Sequence, residues 1–129
     1  MEFNNSPVIF VVEDNLIYQL LIAKQLESLN GTLHFYTTGE ACLRDLDRNP
    51  CLIILDYNLD GQLSGLDTLK QLRQHLPEVH AIVFSNQADV HTHENLLHYG
   101  AFDFLEKCDH SFKTLQQMVL RFLKIPSLA

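Results

Sequence analysis

Apolar residues follow two alternating rhythms along this chain. Short unbroken runs, Val8-Ile9-Phe10-Val11-Val12, Leu52-Ile53-Ile54-Leu55 and Ala81-Ile82-Val83-Phe84, are bounded by polar or turn-forming residues. Such runs suit strands buried on both faces. Two weaker strands complete the set, Thr32 to Tyr36 and Phe102 to Leu105. Between them the apolar residues recur three and four apart, the helical period. Ile17, Leu20, Leu21, Leu26 and Leu29 give the first helix a broad apolar face. Cys42, Leu43 and Leu46 mark a second, and Leu66, Leu69, Leu72 and Leu76 a third. Val90, Leu96 and Leu97 anchor a fourth, from Asp89 to His98. Phe112, Leu115, Val119 and Phe122 mark the last, which runs through Leu123.

Start and stop signals agree with this division. Asp14 or Asn15 caps the first helix, and Asp109 or Ser111 the last. Thr37 and Glu40 read as a capping box. Asn30-Gly31, Asn49-Pro50, Pro77 and Gly100 supply the stops. Five repeats of strand then helix imply one parallel sheet with right-handed crossovers and helices on both faces. Residues 1–129 therefore read as one domain with no output domain attached.

Composition narrows the classes. At 47% hydrophobic residues the chain is expected to fold. A net charge of -7 argues against a surface built to contact nucleic-acid phosphates. No apolar stretch is long enough to span a membrane and no signal peptide precedes the first strand. Cys42, Cys51 and Cys108 form no CxxC pair, which suits reduced thiols in a cytoplasmic protein.

In a parallel sheet the carboxyl ends of the strands share one edge, where ligands bind. That edge receives Glu13 and Asp14, then Asp56, Ser85 and Lys107. Singly, each has a bland reading as a cap, a turn former or a solvated lysine. Jointly, they place acids, a hydroxyl and an amine at the ends of four strands. Clustered carboxylates repel, and a hard divalent cation such as Mg²⁺ (or Mn²⁺) resolves the repulsion. An ionised Asp56 can attack phosphorus without a general base. Lys107 can pair with one phosphoryl oxygen and Ser85 can donate to another. The constellation points to an aspartyl-phosphate switch.

These residues stand in the segments VVEDN, LDYN, FSNQ and GAFDFLEK, in that order. With them the chain resembles the receiver domain of two-component response regulators, in the CheY-like superfamily, over essentially its whole length. The resemblance implies a flavodoxin-like (βα)5 three-layer sandwich with sheet order 2-1-3-4-5. It implies Asp56 as phosphoacceptor. The metal site would comprise Glu13, Asp14, Asp56 and the backbone carbonyl of Asn58. Ser85, Phe104 and Lys107 match the phosphoryl-binding and switch positions, and Asn58, Asn86 and Gln87 those that modulate rate. The donor would be a histidine kinase or histidine phosphotransfer protein. The output would be a protein target or a second copy, bound through the face of the fourth helix, fifth strand and fifth helix. Val90, Leu97, Tyr99, Phe104 and Phe112 are its candidate members. The chain departs from the family at Cys108, where proline is usual, at Asn86, where a small residue is usual, at Phe104, where tyrosine is common, and in a longer loop after Asp56.

Other classes fit less well. No GxxxxGK[ST] or GxGxxG is present, and Glu13-Asp14 would repel a nucleotide phosphate. A phosphatase with an aspartyl intermediate would want a second acid where Leu16 stands. His91, His93 and His98 lack metal-ligand spacing. A phosphorelay intermediate or phosphate sink, and a receiver-like interaction module without phosphorylation, are the alternatives to an output switch.

Overall fold

The computed structural model describes residues 6–59, 61–86, 90–100, 103–108 and 111–124. Five strands and five helices alternate: β1 (Val8–Val12), α1 (Leu16–Leu26), β2 (Thr32–Tyr36), α2 (Gly39–Arg44), β3 (Leu52–Asp56), α3 (Gly65–His75), β4 (His80–Ser85), α4 (Val90–His98), β5 (Asp103–Glu106) and α5 (Ser111–Lys124). A 3-10 turn at Leu46–Arg48 follows α2. All strand pairs are parallel, in the order β2-β1-β3-β4-β5. This is the flavodoxin-like arrangement.

The period of two along each strand divides the core. Phe10, Val12, Ile53, Leu55, Ala81 and Val83 face one way and pack with Cys42, Leu69, Leu72 and Leu96 of α2, α3 and α4. Ile9, Val11, Leu52, Ile54, Ile82 and Phe84 face the other way and pack with Ile22, Leu26, Leu115 and Val119 of α1 and α5. Register then fixes the functional edge. Val12 lies beside Leu55, and Asp56 beside Phe84.

Some expectations change. Ile17 and Leu20 are 68% and 69% exposed, and Leu21 is exposed too. Ile22 takes the core position instead, one turn before Leu26. Both sides of α1 are apolar, so periodicity alone could not choose the buried one. The capping box at Thr37 does not form. Thr38 caps α2 by accepting the Ala41 N–H at 3.1 Å, and the Glu40 carboxylate accepts the Leu63 N–H at 3.2 Å. α2 begins at Gly39, where a Cβ would stand 2.0 Å from Thr68 Oγ1 of α3. Asn15 rather than Asp14 caps α1, through the N–H groups of Ile17 and Tyr18. Ser111 opens α5 as its first residue, while Asp89, Phe102 and Asp109 lie outside the described residues.

Candidate functional site

Strand ends bring the predicted polar groups together. Glu13 and Asp14 follow β1, Asp56 and Ser85 are the last residues of β3 and β4, and Lys107 follows β5. Ligand oxygens of Glu13, Asp14 and Asp56 all lie within 4.8 Å of one another. Among the described residues, this is the one group of three or more such side chains placed to share a cation. Three hard oxygen donors match Mg²⁺ or Mn²⁺ in chemistry.

Two of the three acids are sealed from water, and Asp14 is partly exposed. Glu13 is 1% exposed and Asp56 2%. Lys107 Nζ bridges them, 3.0 Å from Glu13 Oε1 and 3.2 Å from Asp56 Oδ1. One ammonium faces two buried carboxylates. Burial first, and the Asp56 charge second, push the Glu13 carboxyl up to about 7, against the pull of the Asn15 N–H and Lys107. The Asn15 N–H donates to Glu13 Oε2 at 3.1 Å, and Gln19 Nε2 donates to the Glu13 carbonyl at 2.7 Å. Helix α1 thereby anchors the acid that precedes it.

The loop after β3 is laced to the site. Its Asn58 N–H donates to Asp56 Oδ1 at 2.9 Å. The Asn58 carboxamide oxygen accepts the Asn86 N–H at 3.0 Å. The Lys107 N–H donates to the Ser85 carbonyl at 2.7 Å and ties the β5 exit to β4. Gly65 starts α3 directly against the loop: a Cβ there would stand 2.4 Å from the Asp56 carbonyl oxygen and 2.5 Å from Tyr57 Cα. Only glycine permits that approach.

Cys108, at the family's proline position, follows a trans peptide. Its N–H donates to Ser111 Oγ at 3.1 Å, and the Ser111 hydroxyl donates to its carbonyl at 2.7 Å. Proline could not make the first of these bonds. Phe104 lies beside Val83, half-buried against the α3–α4 side of the core. Gln87 and the side chain of Val90 are outside the described residues.

Two features were not anticipated. The Tyr18 ring covers Lys107, with Nζ 4.3 Å from its centroid, and stacks on Phe112 at 5.8 Å. Phe112 also contacts Phe84. It therefore packs between α5 and the α1 side of the sheet rather than on the expected α4–β5–α5 face. Tyr18 falls four residues after Asp14, one turn into α1, and that spacing was the available signal. The second feature is Glu40, whose tether to Leu63 spans 23 residues.

Residues 9–120 match the response regulator receiver domain family. The chain belongs to that family. It is 35% identical over 102 residues to the transcriptional activator protein ExaE of Pseudomonas putida, covering 77% of this chain and 47% of that protein. It thus spans about half the length of this curated relative. The receiver domain of a putative Luxo repressor from Vibrio parahaemolyticus superposes with a TM-score of 0.83 at 29% identity, over 92% of this chain and 91% of that one. The Mn(2+)-bound form of response regulator Rcp1 shares the fold, with a TM-score of 0.84 at 22% identity over 95% of this chain and 99% of that one. This receiver domain is thus a two-component signalling protein by family. No helix among its described residues is long and apolar enough to cross a membrane.

Proposed function

We propose that this receiver domain is a phosphorylation-driven switch, with Asp56 accepting a phosphoryl group from a phosphohistidine on a histidine kinase or histidine phosphotransfer protein. The observation that carries the reading is the joint placement of Asp56, Glu13, Asp14 and Lys107 at one sheet edge. In transfer, an Asp56 oxygen forms the new O–P bond while the donor's N–P bond breaks and the imidazole leaves. Glu13, Asp14, Asp56 and the Asn58 carbonyl would hold Mg²⁺ or Mn²⁺, which supplies positive charge against the phosphoryl oxygens when bound. Lys107 moves from pairing carboxylates to pairing one phosphoryl oxygen. Ser85 donates its hydroxyl to another.

The donor has a surface to meet beside the site. Ile17, Tyr18 and Leu21 of α1, with Lys107 and Phe112, line a hollow of about 490 Å³ whose wall includes the lysine that pairs with Glu13 and Asp56. Exposed Leu16 and Leu20 extend the apolar helix surface beyond it. A protein donor approaching Asp56 would cover these side chains, and burying apolar area drives such contacts.

Movement of Ser85 toward the phosphoryl group, with Phe104 filling the space behind it, would bias the α4–β5–α5 face for a protein target or a second copy. Leu97 of α4 is 54% exposed. Tyr99 lies under Lys70, whose Nζ is 4.7 Å from its ring centroid. The receiver's acidic charge favours protein over nucleic acid as its direct partner. The test is intact mass after acetyl phosphate treatment. A Mg²⁺-dependent gain of one phosphoryl group is expected, and none in Asp56→Asn. A label retained in Asp56→Asn would end the assignment of the acceptor.

A further inference from the structure

The chain of hydrogen bonds running out from Asp56 ends in a contact that does not belong to the sheet. Parallel pairing continues past the strand ends with the Tyr57 N–H donating to the Phe84 carbonyl at 2.7 Å. One further step of the ladder would bring the Asn86 N–H to the Tyr57 carbonyl. That carbonyl is turned instead toward the Gly65 N–H, 3.2 Å away at the start of α3. The Asn58 side chain takes its place and accepts the Asn86 N–H at 3.0 Å. A rotatable carboxamide has replaced a backbone acceptor at the step that joins the loop after β3 to Asn86 at the exit of β4.

We propose that Asn58 is a latch: its carboxamide holds Asn86, the residue after Ser85, in the resting position, and this bond must open when a phosphoryl group on Asp56 draws Ser85 and Asn86 inward. The inference rests on the reading of Asp56 as phosphoacceptor and adds to it a positioning residue that sets the switching threshold. Asn58 is placed for this at both ends. Its N–H is fastened to Asp56 Oδ1 at 2.9 Å, the oxygen that Lys107 also holds at 3.2 Å. Its side chain reaches across 28 residues of sequence to Asn86. A change at the carboxylate therefore reaches the β4 exit through one residue.

The physical consequence is a differential one. A bond made in the resting state and lost in the activated state opposes activation by its net worth. For a neutral, partly exposed hydrogen bond that is about a fivefold bias in the equilibrium. Asn58→Leu keeps the size of the side chain and removes the acceptor. Asn58→Asp keeps an acceptor oxygen.

The experiment uses the whole chain and beryllium fluoride with Mg²⁺ as a phosphoryl stand-in, followed by the amide resonance of Asn86. In the native protein that resonance moves on addition of the probe. In Asn58→Leu it starts displaced toward its activated position, and half-saturation by beryllium fluoride falls about fivefold. In Asn58→Asp the resting resonance stays near its native position. Unchanged or weakened binding in Asn58→Leu, beside normal binding in the native protein, overturns the latch alone. Absence of any Mg²⁺-dependent probe binding in the native protein overturns the phosphoacceptor reading and the latch with it. Matched thermal unfolding of both variants shows that each is folded when compared.

Discussion

The two flanks of Asp56 are built from different materials. Toward β1 and β5 the contacts are ionic and sealed: Glu13, Lys107 and Asp56 are nearly excluded from water, and Tyr18 lies over the ammonium. Toward β4 the contacts are neutral and open: the Asn58 carboxamide meets an exposed Asn86 through its N–H. A buried charge separated from its partner costs several kcal/mol, so the ionic flank resists rearrangement. A neutral hydrogen bond at the surface exchanges for another at little cost. The division teaches where such a site can move. Charge holds the reacting carboxylate in place, and the flank of cheap, replaceable bonds is the one free to respond.

The ionic flank depends most on Lys107. Lys107→Ala leaves Glu13 and Asp56 buried without their cation and should destabilise the metal-free protein by about 3 kcal/mol. Acetyl phosphate labelling should also slow about a hundredfold. Chemical unfolding and labelling rates measure the two effects. Equal stability with and without the lysine would show that the ionic flank holds nothing. Gly65→Ala comes next and disturbs both flanks together, because the new Cβ would meet the Asp56 carbonyl at 2.4 Å. The expected loss is about 2 kcal/mol in chemical unfolding.

Mg²⁺ sharpens the contrast from the ionic side. At about a hundred times its dissociation constant it should stabilise the protein by about 2.7 kcal/mol, and Asp14→Asn should remove most of that gain. A melting temperature indifferent to Mg²⁺ would argue that the acids are purely structural. The smallest effect belongs to the neutral flank. Asn86→Ala retains the N–H that Asn58 accepts, so stability should change by less than about 0.5 kcal/mol. A larger loss would mean that the Asn86 side chain carries the contact.

Most of the architecture could be read from the chain before any coordinates. Three strands announced themselves because they are buried on both faces and therefore uniformly apolar. The acids, the hydroxyl and the lysine were legible for the same reason, since each interrupts or follows such a run. Helix α1 was the main failure. Leu16, Ile17, Leu20 and Leu21 are apolar yet exposed, while Ile22 and Leu26 are buried. A helix apolar on two sides carries no internal sign of which side meets the sheet. The start of α2 was misplaced by one residue because Thr37 and Thr38 are equivalent as caps until Gly39 must approach Thr68.

The order of strands and helices, the identity of the groups at each strand end and the sign of the charge there are already written in the order of the residues. These follow from local periodicity and from the chirality of parallel crossovers, which need no long-range information. Which of those groups touch depends on the packed layers. Lys107 lies between Glu13 and Asp56 because β5 ends two strands away from β3 and the lysine reaches back over the sheet edge. Tyr18 meets that lysine because α1 and α5 pack on the same face. Asn58 holds Asn86 because Gly65 claims the Tyr57 carbonyl that the ladder would otherwise use. Each is a contact between residues far apart in the chain. Such contacts depend on how the layers pack, and that packing is a property of the whole fold.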